Sequence, residues 1–160
     1  MIENLLPGVQ HLQNIHPLTV HFPIAFLLGA ALCYGATWIL KHKALESTAF
    51  WLLLGGAVSA GIAVGTGLYA KDGVMISYSV RAHLLEQHEK LMLATLALSV
   101  LLAVWALIAK PFPRRGRVLF MLLFAVLLII ITFGADYGAR MVYDYNAGGD
   151  ACSQPIEFTQ

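Results

Sequence analysis

The sequence predicts an all-α integral membrane protein of four transmembrane helices in an up-down bundle, with both termini outside. Three observations carry this. Of 160 residues, 59% are hydrophobic and only 12% charged, about half the charge of an average soluble domain. The apolar residues fall in four blocks, Leu18 to Leu40, Ala49 to Ala70, Leu91 to Ala109 and Val118 to Ala135, none with an Asp, Glu, Lys or Arg. At a rise of about 1.5 Å, blocks of about 18 to 23 residues cross a hydrocarbon core of about 30 Å, where the backbone must satisfy its own hydrogen bonds. The connections, finally, are short and lopsided in charge.

The first span, expected at about 17–40, opens with HPLTVHFPIAF; Pro17 suits a first helical position. The preceding MIENLLPG has no basic n-region and carries Glu3, so the first span is expected to serve as its own insertion signal. The second span, about 49–70, follows KHKALES and contains GGAVSAGIAVGTG, where Gly61 and Gly65 form a small-xxx-small face. The third, about 88–109, opens on HEK. The fourth, about 117–135, follows KPFPRRGR and ends in GADYG, with Gly134 and Gly138 at the same four-residue spacing. Residues 1–145 make one domain, and 146–160 an extracytoplasmic tail. Cys33 and Cys152 define no disulfide framework, and no C-x-x-C-H is present for covalent haem attachment.

Lys41, Lys43, Lys110, Arg114, Arg115 and Arg117 all lie in the first and third connections, whereas the opposite side is nearly balanced. The positive-inside rule puts those basic loops in the cytoplasm and both termini in the periplasm of a bacterial inner membrane. His42 is then inside, and His11, His16, His21, His83 and His88 lie at the outer face. Trp38, Trp51 and Trp105 at one end, and Tyr69, Tyr78, Tyr137, Tyr143 and Tyr145 at the other, read as interface belts.

His21 and His88 fall at matched depth on spans one and three, which can face each other across a bundle. An ionisable group inside an apolar span is a functional candidate by default, and a bend at Pro23 is expected to aim His21 inward. His16 and His21 are five apart, as are His83 and His88, so neither pair chelates one metal from a regular helix face. HLLEQHEK lacks the four-residue spacing of H-E-x-x-H. One imidazole from each of two facing helices, in an apolar shell, suits a b-type haem. The expected axial ligands are His21 and His88, with His16 as reserve ligand or quinone contact. Gly61 and Gly65 would give the macrocycle room, and Arg81, Arg140 or Lys71 would pair with its propionates.

Several motifs carry a resemblance: H-P-x-x-V-H-F-P-I (His16, Pro17, Val20, His21, Phe22, Pro23, Ile24), GTGLYAKD, HEK and GARMVYDYNAG. Together they resemble a bacterial four-helix membrane-domain family of unknown function, the domain of unknown function 2231 type, over nearly the whole chain. The resemblance implies company with c-type cytochromes or other redox proteins, and makes His16, His21 and His88 the motif histidines. The resemblance also implies, for some members, a histidine after the VY pair, where this chain has Asp144 and Tyr145.

The expected function is a b-type haem membrane subunit of a respiratory electron-transfer complex. It would pass electrons between a periplasmic redox partner, such as a c-type cytochrome, and the quinone pool or another subunit. Two readings stand beside it: a cofactor-free anchor or assembly subunit, and a small copper or iron site built from His16, His21, His83 and His88. No nucleophile–base set or phosphate loop is visible, so no independent catalysis is assigned.

Overall fold

The computed structural model describes residues 15–74, 76–109 and 111–147. Among them are four helical segments long and apolar enough to cross a membrane: span one, His16–Leu40; span two, Lys43–Ala70; span three, Tyr78–Ala109; and span four, Arg117–Tyr143. Each packs on its chain neighbour, most extensively span one on span two, and a thinner interface between spans one and four closes the ring. Spans one and three are therefore diagonal partners. His11 and the tail from 148 onward lie outside the described residues.

Span one begins and ends close to expectation, but the other helices outrun their apolar blocks. Span two starts at Lys43, span three at Tyr78, and span four continues to Tyr143. Absence of charge marks what can sit in hydrocarbon, whereas a helix continues as long as its backbone bonds are made and one face finds a partner. At the outer end that partner exists: Val80 and Leu84 of span three are buried with Met141 of span four. The connection expected over 71–87 is thus helix from Tyr78 onward.

The main core sits toward the basic loops. Tyr34 is its hub, fully buried, with ring centroids of Phe112, Phe120 and Phe124 at 4.8, 5.2 and 5.9 Å. Its hydroxyl donates to Pro111 O at 3.0 Å, tying span one to the third connection. Trp105 is not part of an interface belt: it packs edge-on against Phe120 at 5.6 Å. Elsewhere the buried face is small, with Ala49, Ala57, Ala60, Ala63, Ala103 and Ala106 letting backbones approach. Large apolar side chains such as Leu32, Ile39, Val58, Ile62 and Ile108 are exposed on the outside, where lipid would cover them.

Two irregularities lie at the outer end. Span one breaks at Val20, between a single turn, His16–Thr19, and the long helix His21–Leu40. Pro23 explains the break, since it has no N–H for the carbonyl of Thr19. Span three contains a π-helical turn, Arg81–Leu85. Its extra residue keeps Val80, Leu84 and His88, four apart, on the inward side.

Candidate functional site

The five-residue spacing of His16 and His21 lets only one of them face into the bundle. His16, on the short first turn, is partly buried; His21 is exposed, and Pro23 is the residue buried beside it. The expectation that Pro23 aims His21 inward is thus corrected. His16 and His21 lie five residues apart on a backbone that stays right-handed helical through Val20, so their side chains point about 140° apart, and the packing of span one turns His16 in and His21 out. The imidazoles of His16 and His88 meet across the bundle with ring centroids 6.3 Å apart and planes at 80°. Spans one and three are diagonal as expected, but the residue that meets His88 is His16, five positions before the expected His21.

Each ring is oriented by the next helix along the chain. The Thr66 hydroxyl of span two donates to Ala63 O at 3.0 Å, so its oxygen accepts from His16 Nδ1 at 3.2 Å. The Thr19 hydroxyl lies 2.9 Å from the same oxygen. On the other side His88 Nδ1 donates to the Gly134 carbonyl of span four at 2.7 Å. A carbonyl only accepts, so this nitrogen carries the proton and the neutral ring keeps its lone pair on Nε2. The Thr66 bond gives His16 the same tautomer.

Glycine lets both rings seat. A Cβ at Gly67 would stand 2.9 Å from His16 Cε1, and one at Gly138 would stand 3.1 Å from His88 Cε1. Any larger residue would push the ring off its partner. Gly134, one turn before Gly138, is pressed against Leu91 and Met92, so the four-residue spacing of span four serves close packing on span three. The expected pair in span two behaves differently. Gly65 is exposed with open space around it, and a Cβ at Gly61 would meet only Leu96, at 3.9 Å. Neither touches an imidazole.

The outer basic residues are mostly engaged. Arg81 donates from both terminal nitrogens, to Lys71 O and Val74 O at 3.1 Å each, and so clasps the connection between spans two and three. Lys71 lies 3.3 Å from Glu89, and Arg140 lies 3.7 Å from Asp144. His83 is exposed on the π-helical turn, and His42 is exposed at the basic end. Among the described residues no group of three or more His, Cys, Asp or Glu comes together as a metal site. On the His88 side of span three, two turns further in, Thr95 is buried with a hydroxyl that makes no hydrogen bond.

The family described as "Predicted membrane protein (DUF2231)" matches residues 12–151, which contain all four spans and both inward histidines. The chain belongs to this family. Comparison with curated proteins and with solved structures gave no match. Membership in this membrane-protein family agrees with the four apolar helices, and the family description itself names no activity.

Sequence reasoning passed over Thr19, Thr66, Gly67 and Gly138 as site residues. All four sit inside motifs already singled out, Thr19 in HPLTVHFPIAF, Thr66 and Gly67 in GTGLYAKD and Gly138 in GARMVYDYNAG. The usable signal was position: each falls at the outer end of its span, at the depth of the two histidines.

Proposed function

We propose that this membrane protein is a b-type haem-binding subunit of a respiratory electron-transfer complex, in which His16 and His88 would hold the haem. The observation that carries the reading is the 6.3 Å separation of two imidazoles from diagonal helices. Two imidazoles, one from each of two helices in an apolar shell, are the residues that would hold a haem between them. The donor set suits a tetrapyrrole, which brings four nitrogens of its own and asks the protein for two. The hydrogen bonds at Nδ1 are the outer-shell partners that fix a ligand histidine with Nε2 toward its metal.

A haem held there would supply one-electron transfer, with no open position for substrate chemistry. The protein's part is to hold both rings still: Thr66 and the Gly134 carbonyl set their rotation, and Gly67 and Gly138 set their depth. Arg140, exposed in its ion pair with Asp144, is better disposed toward a propionate than Arg81, whose terminal nitrogens are on loop carbonyls. The outer connection and the segment after span four would meet a periplasmic redox partner such as a c-type cytochrome, with quinone or another subunit as the second partner. Six Lys and Arg residues in the two basic connections support a bacterial inner-membrane location with periplasmic termini.

The test is an optical spectrum of the protein purified from haem-replete cells. A reducible Soret and α band is expected. His16→Ala and His88→Ala should each deplete it, while His21→Ala should leave it intact. A metal signal without those bands would favour the small metal site, and a silent spectrum the cofactor-free anchor.

A further inference from the structure

Two side chains of span one converge on one oxygen of span two. His16 Nδ1 lies 3.2 Å and Thr19 Oγ1 2.9 Å from Thr66 Oγ1. Thr66 gives its own proton to Ala63 O at 3.0 Å. A hydroxyl oxygen has one proton to give and two lone pairs to fill. Two hydroxyl oxygens at 2.9 Å hold a proton between them, and with that of Thr66 spent on Ala63 it is the proton of Thr19. Thr19 Oγ1 is also 2.9 Å from His16 O, but the Val20 N–H already donates to that carbonyl at 3.2 Å. Thr66 Oγ1 is then saturated: it donates once and accepts twice, from Thr19 and from the His16 ring.

The place of this node gives it a consequence. No residue of the turn His16–Thr19 is buried, and the first buried residue of span one among the described residues is Pro23. The outermost turn is therefore tied to span two by polar contacts where no buried apolar side chain ties it. Thr19 follows His16 by three residues and precedes His21 by two. At about 100° per residue, Thr19 stands about 60° from His16 around the helix and about 160° from His21. A pin from Thr19 to span two thus holds the side of the turn that carries His16 against the bundle.

We propose that Thr19 is a positioning residue: acting through Thr66, it holds His16 on the inward side of span one. Without the Thr19 hydroxyl, one lone pair of Thr66 is unfilled, the outermost turn twists more freely, and the His16 ring spends more time exposed. Under the haem reading proposed above, on which this last step rests, that exposure weakens haem retention.

The experiment is acylation of the full chain in detergent by diethyl pyrocarbonate, without added haem, with the rate at each histidine read by mass spectrometry. Thr19→Val, which keeps the shape and removes the hydroxyl, should speed modification of His16 about threefold, the size of one interhelical hydrogen bond in a membrane protein. Thr19→Ser, which keeps the hydroxyl, should stay near wild type. Thr19→Val with Thr66→Val should be no faster than Thr66→Val alone, because Thr19 acts through Thr66. Thr132→Val is the control, since that hydroxyl bonds only within its own helix, and it should leave His16 unchanged. A wild-type rate in Thr19→Val, an equal rise in Thr19→Ser or in the control, or a further rise in the double variant would each overturn the proposal. With haem supplied, Thr19→Val should retain it about threefold less well and Thr19→Ser should restore it. If the wild type shows no haem bands while the acylation rates behave as stated, the haem reading fails and the positioning role stands.

Discussion

A Cβ added at Gly67 or Gly138 would press on an inward imidazole, and one added at Gly65 would meet nothing within 4 Å. That contrast separates a site from mere helix packing. Gly67→Ala should displace His16 and deplete haem, Gly138→Ala should do the same to a smaller degree through His88, and Gly65→Ala should be silent. Haem per chain, read from the reduced-minus-oxidised spectrum, checks all three. If Gly65→Ala proves as harmful as Gly67→Ala, the ring contacts are not what matters. Thr66→Val tests the orienting bond. Outer-shell partners of ligand histidines are worth about 10–100-fold in metal affinity, and a loss in that range is expected in a haem-retention assay. At this scale the sequence was half legible. Hydropathy located the depth of the histidines, because only depth decides what lipid tolerates. Which of His16 and His21 turns inward was hidden: their five-residue spacing says that they point apart, and the choice is made by the packing of span one on span two, where Thr66 and Gly67 receive His16.

Among the elements, the spans themselves were plain to read, since hydrocarbon admits few alternatives to a helix. Their ends were not: whether Tyr78–Leu85 is loop or helix depends on Val80 and Leu84 finding Met141, a contact across more than fifty residues. The same region explains the role of Arg81. Its two hydrogen bonds to Lys71 O and Val74 O hold the turn between spans two and three, so Arg81→Gln should make residues 71–77 more susceptible to proteolysis while leaving haem content near normal. Loss of haem without new cleavage would instead return Arg81 to a propionate role. Between spans one and two, Gly56 is the tight point. A Cβ there would lie 2.6 Å from Leu27 Cδ2 and 3.3 Å from the Leu27 backbone nitrogen. Gly56→Ala should therefore cost about 1–3 kcal/mol, measurable as a lowered midpoint of unfolding in mixed micelles.

For the whole molecule, the four spans among the described residues put residues 15 and 147 on one side of the membrane, and the positive-inside rule predicts that side to be the outer one. A periplasm-dependent reporter fused after Gln160 should be active, and activity of a cytoplasm-dependent reporter instead would reverse the histidine pair and the basic connections together. The two ends also differ in what holds them. Tyr34, Phe112, Phe120 and Phe124 interlock near the basic loops, whereas the histidine layer lies beyond the last large aromatic contact of that core. Half of the bundle is therefore complete before any cofactor arrives. This bears on biogenesis: under the haem reading proposed above, the chain would insert, lock its aromatic end and persist as a stable receptor, with loading a separate, later event. Chains made in haem-starved cells should accumulate in the membrane at normal abundance and gain their absorption bands when haemin is added afterwards, without new protein synthesis.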